Sequence, residues 1–172
     1  KPGLYSSISQ FMLLLGMSCL RKGSCTDAFF RSMTDSPALA ENGYAVFRYP
    51  DGIESGFIAR CKDRVGGPVQ SAYPSTRILA ALAPLAFRLT APAEILADAT
   101  GFLRLFTADP KTLAAGLLHV FLLKSLAEDG QGGPDPVRAA VACAAALEEM
   151  IASDCSAQVF ALQTGGVGGV DV

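Results

Sequence analysis

The run Asp109–Gly130, DPKTLAAGLLHVFLLKSLAEDG, decides the fold. Asp109 is a capping residue and Pro110 suits the first helical turn that follows it. From Leu113 to Leu123 the only polar side chain is His119. A helix apolar on nearly every side belongs inside a protein and not on its surface. The sequence therefore predicts a buried central helix over 109–129 with the rest of the chain packed around it.

Outward from that helix, the same punctuation recurs. Asp135-Pro136 repeats the Asp-Pro start and opens a predicted last helix from Val137 to Ser153. Pro92 and Glu94 open another that runs to about Phe106. Between Pro74 and Leu89, Ile78, Leu79, Leu82, Leu85 and Phe87 keep helical spacing, and Pro84 should kink or split that segment. Nearer the start, Ser7-Ile8-Ser9-Gln10 reads as a capping box for a helix through Phe11–Leu20, with Arg21 and Lys22 at its negative end and Gly23 as its stop. A short helix is expected over Thr26–Met33, and a helical turn after Ser36-Pro37 ending at Asn42-Gly43.

Tyr44–Tyr49 and Ile53–Cys61 are aromatic and β-branched runs on either side of Pro50-Asp51-Gly52. They predict a β-hairpin over 44–62. The expected fold is thus mainly α: a compact bundle of five to six helices with one hairpin. The parts are a helix-and-hairpin region (1–64), a linker with Gly66-Gly67-Pro68 (65–73), a helical region (74–163) and a glycine-rich tail (164–172). Together they read as one structural domain.

Composition limits the function. In 172 residues, 51% are hydrophobic and only 17% charged, against roughly 25% charged for an ordinary soluble domain. Such a chain has little polar material for its own surface, so either a partner, a ligand or a bilayer covers some of it, or the chain is an Ala-rich helical domain with a large core. Residues 2–20 carry no charge, which suggests a buried or interfacial helix and peripheral association with a membrane complex through 8–20. The net charge of −2 is unevenly spread: residues 1–64 hold eight Lys/Arg and six Asp/Glu, and residues 65–172 hold six and ten. No basic run extends beyond Arg21-Lys22, which argues against nucleic acid. Five cysteines at irregular spacing, with no Cys-x-x-Cys pair and a single histidine, argue against a full disulfide framework and a structural zinc site, and leave room for one disulfide from Cys19 or Cys25. A reducing intracellular compartment fits this cysteine usage. The first residue is Lys1 and not methionine, which reads as a processed product or a piece of a longer chain.

Two side chains could carry chemistry. His119 is the lone imidazole, and Gly116, one turn earlier on the same face, would leave a gap where a flat ligand could lie. The plainer readings are a core histidine bonded to a carbonyl, or a helix crossing at Gly116. Cys25, in Gly23-Ser24-Cys25-Thr26-Asp27, falls at an expected helix start, where a thiol is acidified. With His119 it would form a thiol-hydrolase dyad; the plainer reading is a loop that caps a helix. The glycines at 165–169 and 130–133 lack the Lys-Ser/Thr ending of a phosphate loop. No acidic pair has metal-ligand spacing.

At Ala108-Asp109-Pro110-Lys111-x-Leu113 and Ala145-Ala146-Leu147-x-x-x-Ile151-Ala152-Ser153 the chain resembles the peridinin–chlorophyll a proteins of dinoflagellates, over about residues 93–153. The resemblance implies a plastid, a photosystem-associated subunit and a chlorophyll-type pigment. That family carries a histidine pair on this helix, whereas this sequence has only His119, slightly out of register.

Three functions follow from these residues. The first is a non-catalytic structural or interaction subunit of a larger protein assembly, with other protein subunits as partners. The second is a carrier of a pigment or apolar ligand using His119 and Gly116. The third is a thiol hydrolase using Cys25 and His119.

Overall fold

A computed structural model describes residues 6–89 and 91–128. Seven α-helices and one 3-10 helix make up this part, and no strand occurs among the described residues. They are α1 (Ser7–Ser18), α2 (Cys25–Thr34), α3 (Pro37–Glu41), α4 (Gly52–Lys62), the 3-10 helix (Arg77–Leu82), α5 (Ala83–Arg88), α6 (Pro92–Arg104) and α7 (Pro110–Glu128). The sequence-predicted helix at 137–153 and the tail at 164–172 lie outside the described residues.

Local chemistry explains most of the boundaries. Ser24 and Ser36 cap α2 and α3 by accepting hydrogen bonds from the amides of Asp27 and Leu39. Asp109 Oδ2 accepts from the Thr112 amide at 2.8 Å and from the Thr112 hydroxyl at 2.7 Å, fixing the start of α7. Pro84 divides 74–89 as its ring requires, with a 3-10 helix before it and α5 after it.

The expected hairpin at 44–62 is not formed. Residues 52–62 are α4, and Tyr44 and Tyr49 sit at φ 62° and 53°, which no strand tolerates. Pro50-Asp51-Gly52 resembles a hairpin turn, but Asp51 and Glu54 close a capping box. Asp51 Oδ1 accepts from the Glu54 amide at 2.9 Å, and Glu54 Oε2 accepts from the Asp51 amide at 3.3 Å. The apolar spacing of Ile53, Phe57, Ile58 and Cys61 is helical, and all four are buried.

At α1 the cap is shifted by one residue. Ser6, not Ser7, accepts from the Ser9 amide. Ser7 is instead buried and donates to Glu54 Oε2, while Gln10 donates to the Val46 carbonyl at 2.7 Å. These two bonds tie α1 to α4 and to the turns that precede it. Arg77 adds an ion pair to the buried Glu54 at 3.5 Å.

The centre of the core is aromatic. Phe11 of α1 lies against Phe29 of α2, Phe57 of α4 and Phe106, with ring centroids 6.1, 5.7 and 5.5 Å away. The contacts to Phe29 and Phe57 are edge-on, the arrangement that ring quadrupoles favour. The α7 helix buries one face, Leu113, Gly116, Leu117 and Val120, against α5, α6 and the 3-10 helix. Its other positions are mostly half-buried, so it flanks the aromatic centre and does not form it.

Residues 63–76 contain no helix. This linker is nonetheless held to the body. The Val69 amide donates to the Arg104 carbonyl at 2.9 Å, and the Ala108 amide to the Ser71 carbonyl at 2.7 Å. Arg60 clamps both sides of it, donating to the carbonyls of Leu105 and Gly67.

Candidate functional site: the open face of helix α1

Helix α1 is uncharged along its whole length, and it is apolar on two sides. Phe11 and Leu15 face the core. On the opposite side Leu13, Met17 and Leu20 stand 51%, 64% and 76% exposed. Leu13 and Met17, four residues apart, share one stripe of the helix, and Leu20 follows in the turn just beyond Ser18. Beside this stripe α1, α2 and α3 enclose a cleft of about 690 Å³. Leu14 and Met17 form one wall, Leu39 and Val46 the other, and buried Ala28 lies between them. Arg21, Lys22 and Arg31 also line the cleft, and all three are exposed. None of them forms an ion pair among the described residues. Asp35 is the one acid in the lining.

Folding explains why this face is left open. Gln10 holds the 43–50 segment against α1 through the Val46 carbonyl, which lays Val46 beside the helix. Tyr44 donates from its hydroxyl to the Met33 carbonyl at 2.6 Å, anchoring the same segment to the end of α2. The segment therefore borders α1 without crossing over Met17.

The sequence-predicted thiol site is built differently from the expectation. Cys25 is the first residue of α2, as the helix-start reading required, but that helix end is occupied. Asp98 of α6 accepts from the Thr26 amide at 3.0 Å and from the Ser24 hydroxyl at 2.7 Å. Burial pushes the Cys25 thiol above its ordinary value, and the Asp98 charge adds to that shift. Burial raises Cys19 further, and its thiol faces Cys25. Cys61 is pushed up to about 12 by burial. All three are free thiols, and a buried thiol held neutral is a weak nucleophile.

His119 is half-buried on α7, which packs on α5, α6 and the 3-10 helix, whereas α2 packs on α1, α4 and α6. Gly116 offers no open space. A Cβ at that position would meet Leu103 Cδ1 at 2.5 Å and Leu82 Cδ1 at 3.1 Å. The gap expected for a flat ligand is filled by these leucines, as at a helix crossing.

A second concavity of about 370 Å³ lies between α4 and the linker, lined chiefly by Ile53, Phe57, Val69, Tyr73 and Phe106. Among the described residues no group of three His, Cys, Asp or Glu side chains could hold a metal ion. No helix among them is long and apolar enough to cross a membrane.

Comparison of the chain with protein-family models, with curated proteins and with solved structures returned no match. The resemblance of residues 93–153 to the peridinin–chlorophyll a proteins therefore rests on the two sequence motifs alone, and the second of them lies outside the described residues.

Sequence reasoning singled out the uncharged stretch 2–20 but not the cleft. The signal was available: Leu13, Met17 and Leu20 fall on the opposite side of the helical wheel from Phe11 and Leu15.

Proposed function

We propose that this chain is a non-catalytic interaction subunit of a larger protein assembly and that the open face of α1 is its contact surface. The observation that carries the reading is exposed Leu13 and Met17 on a helix with no charge to solvate them, continued by exposed Leu20 in the turn beyond it. Contiguous apolar surface bordered by polar residues is characteristic of protein contact sites. The neutral, buried thiols favour the same reading, because they leave Cys25 without an activated state. The test is the native mass of the protein, purified gently from its source without detergent. A mass well above that of one 17.9 kDa chain, with other polypeptides in fixed ratio, is the expected result. A soluble monomer at its own mass overturns the reading.

A different observation favours a second reading, an apolar-ligand carrier. The cavity beneath the linker is walled by Phe57 and Phe106 and falls within the roughly 300–1,000 Å³ of small-molecule sites. Mass spectrometry of solvent extracts from the native protein decides it. A stoichiometric apolar compound supports this reading, and a clean extract removes it.

A further inference from the structure

The open face of α1 has a shape and a charge pattern that together specify what fits it. Leu14 and Met17 line the cleft from the last turn of α1, which ends at Ser18, and Arg21 and Lys22 line it from the turn that follows. Its apolar part is concave, with small Ala28 at the bottom and polar Ser32 and Asn42 in the lining. A concave apolar slot between helices accepts the side-chain ridge of a single helix. The apolar side chains of the cleft itself form the walls of a depression, with Leu13 and Leu20 projecting beside it.

The charges fix the partner's sign. Arg21, Lys22 and Arg31 line the same cleft, and no acid of the described chain is paired with them. Asp35 is the only counter-charge in the lining. Cations without partners at the border of an apolar slot attract acids and repel a basic ligand.

We infer that the cleft between α1, α2 and α3 receives an amphipathic helix of a partner protein, with an apolar ridge seated on Leu14 and Met17 and Asp or Glu side chains against Arg21, Lys22 and Arg31. This inference rests on the interaction-subunit reading and names the kind of partner it requires. The partner helix presents apolar residues at i, i+3 or i+4, and i+7, with acids clustered toward one end. Its acidic end carries most of the salt dependence, and the contact at Met17 carries most of the affinity.

A displayed library of helical peptides of about five turns, with every charged position randomised, tests this on the full chain. Selection is paired with counter-selection on Met17→Asp, a surface substitution that leaves the core untouched. The expected winners carry a Leu or Met ridge, favour Asp and Glu over Lys and Arg at one end, and bind wild type roughly tenfold more tightly than Met17→Asp. A Lys22→Glu, Arg31→Glu double variant should weaken the same peptides by a similar factor, and Tyr73→Ser, at the other cavity, should leave them unchanged. Winners that are basic, winners indifferent to Met17, or no enrichment at all would overturn the assignment. So would sedimentation with phosphatidylserine vesicles that Met17→Asp abolishes, because the occupant would then be a bilayer. A homodimer dissolved by Met17→Asp would equally replace the partner helix by a second copy. If the peptides fail while the native chain still travels in a larger complex, this assignment falls and the subunit reading stands. A native monomer removes the subunit reading whatever the peptides do.

Discussion

Asp98 on α6 caps α2 from outside: its Oδ1 accepts a hydrogen bond from the Thr26 amide at 3.0 Å, across 72 residues of sequence. Thr26 returns a bond from its hydroxyl to the Asp98 carbonyl at 2.7 Å. One carboxylate thus joins two helices and neutralises the helix end on which Cys25 sits.

Replacing Asp98 should separate these effects. Asp98→Ala removes a buried acceptor and leaves the Thr26 amide unsatisfied, so it should cost about 1–3 kcal/mol in urea denaturation. Asp98→Asn keeps an acceptor and should cost less. Both should lower the Cys25 thiol pKa, since the Asp98 charge raises it. Iodoacetamide labelling of native protein across pH reads that shift, although burial, the larger cause, keeps the thiol slow.

The aromatic centre makes a steep prediction. Phe11 touches Phe29, Phe47, Phe57 and Phe106 with no solvent exposure. Phe11→Ala should destabilise the fold by about 3–5 kcal/mol. Leu13→Ser, two residues away but exposed, should change stability by less than about 0.5 kcal/mol. Paired thermal melts of the two variants check the contrast, which depends on which side of α1 faces inward.

Gly116 is required by close approach. Alanine gains about 1 kcal/mol of helix propensity over glycine. Its methyl would nevertheless meet both terminal methyls of Leu103 and one of Leu82, and all three lie in the core. Gly116→Ala should therefore show no net gain and destabilise by about 1 kcal/mol, and Gly116→Val by more than about 2 kcal/mol. Chemical denaturation of both variants measures this.

Stability should fall at both ends of the pH range. Hydrogen bonds from Thr112 hold the Asp109 carboxyl below its ordinary value of 3.8. Its contribution is therefore present above that value and lost as pH falls through the depressed folded value. Cys61 is raised from 9.0 to about 12. Its contribution is full below pH 9 and is lost progressively as pH rises toward 12, because the unfolded thiol ionises first. Urea midpoints measured against pH, with Cys61→Ser as the control, should show the alkaline loss in wild type and less of it in the variant.

The helical class and several boundaries were legible because they depend on neighbours in sequence. Asp109-Pro110, Ser36-Pro37 and Pro84 act within a few residues and were read correctly from type and spacing. The hairpin was misread because Pro50-Asp51-Gly52 has two local meanings. The deciding partner, Glu54 at the third helical position, was weighed as part of an aromatic and β-branched run. The aromatic centre was not legible, because Phe11, Phe57 and Phe106 meet only after the chain has folded. The same holds for the cleft: composition announced a shortage of polar surface, but only the packing of α1 against α2 shows where the uncovered side chains stand. Gly116 was weighed both as a ligand gap and as a helix crossing, and Leu82 and Leu103 occupy the space on which the first depended.

Oxidative footprinting of Met17 tests the central claim most directly. Met17 is largely exposed in the isolated chain, while Met33 is fully buried and serves as the internal standard. The account predicts that hydroxyl radicals oxidise Met17 readily in the purified chain and much less in the native material, with Met33 protected in both. Equal oxidation of Met17 in the two preparations would contradict it, because the open face of α1 would then have no occupant.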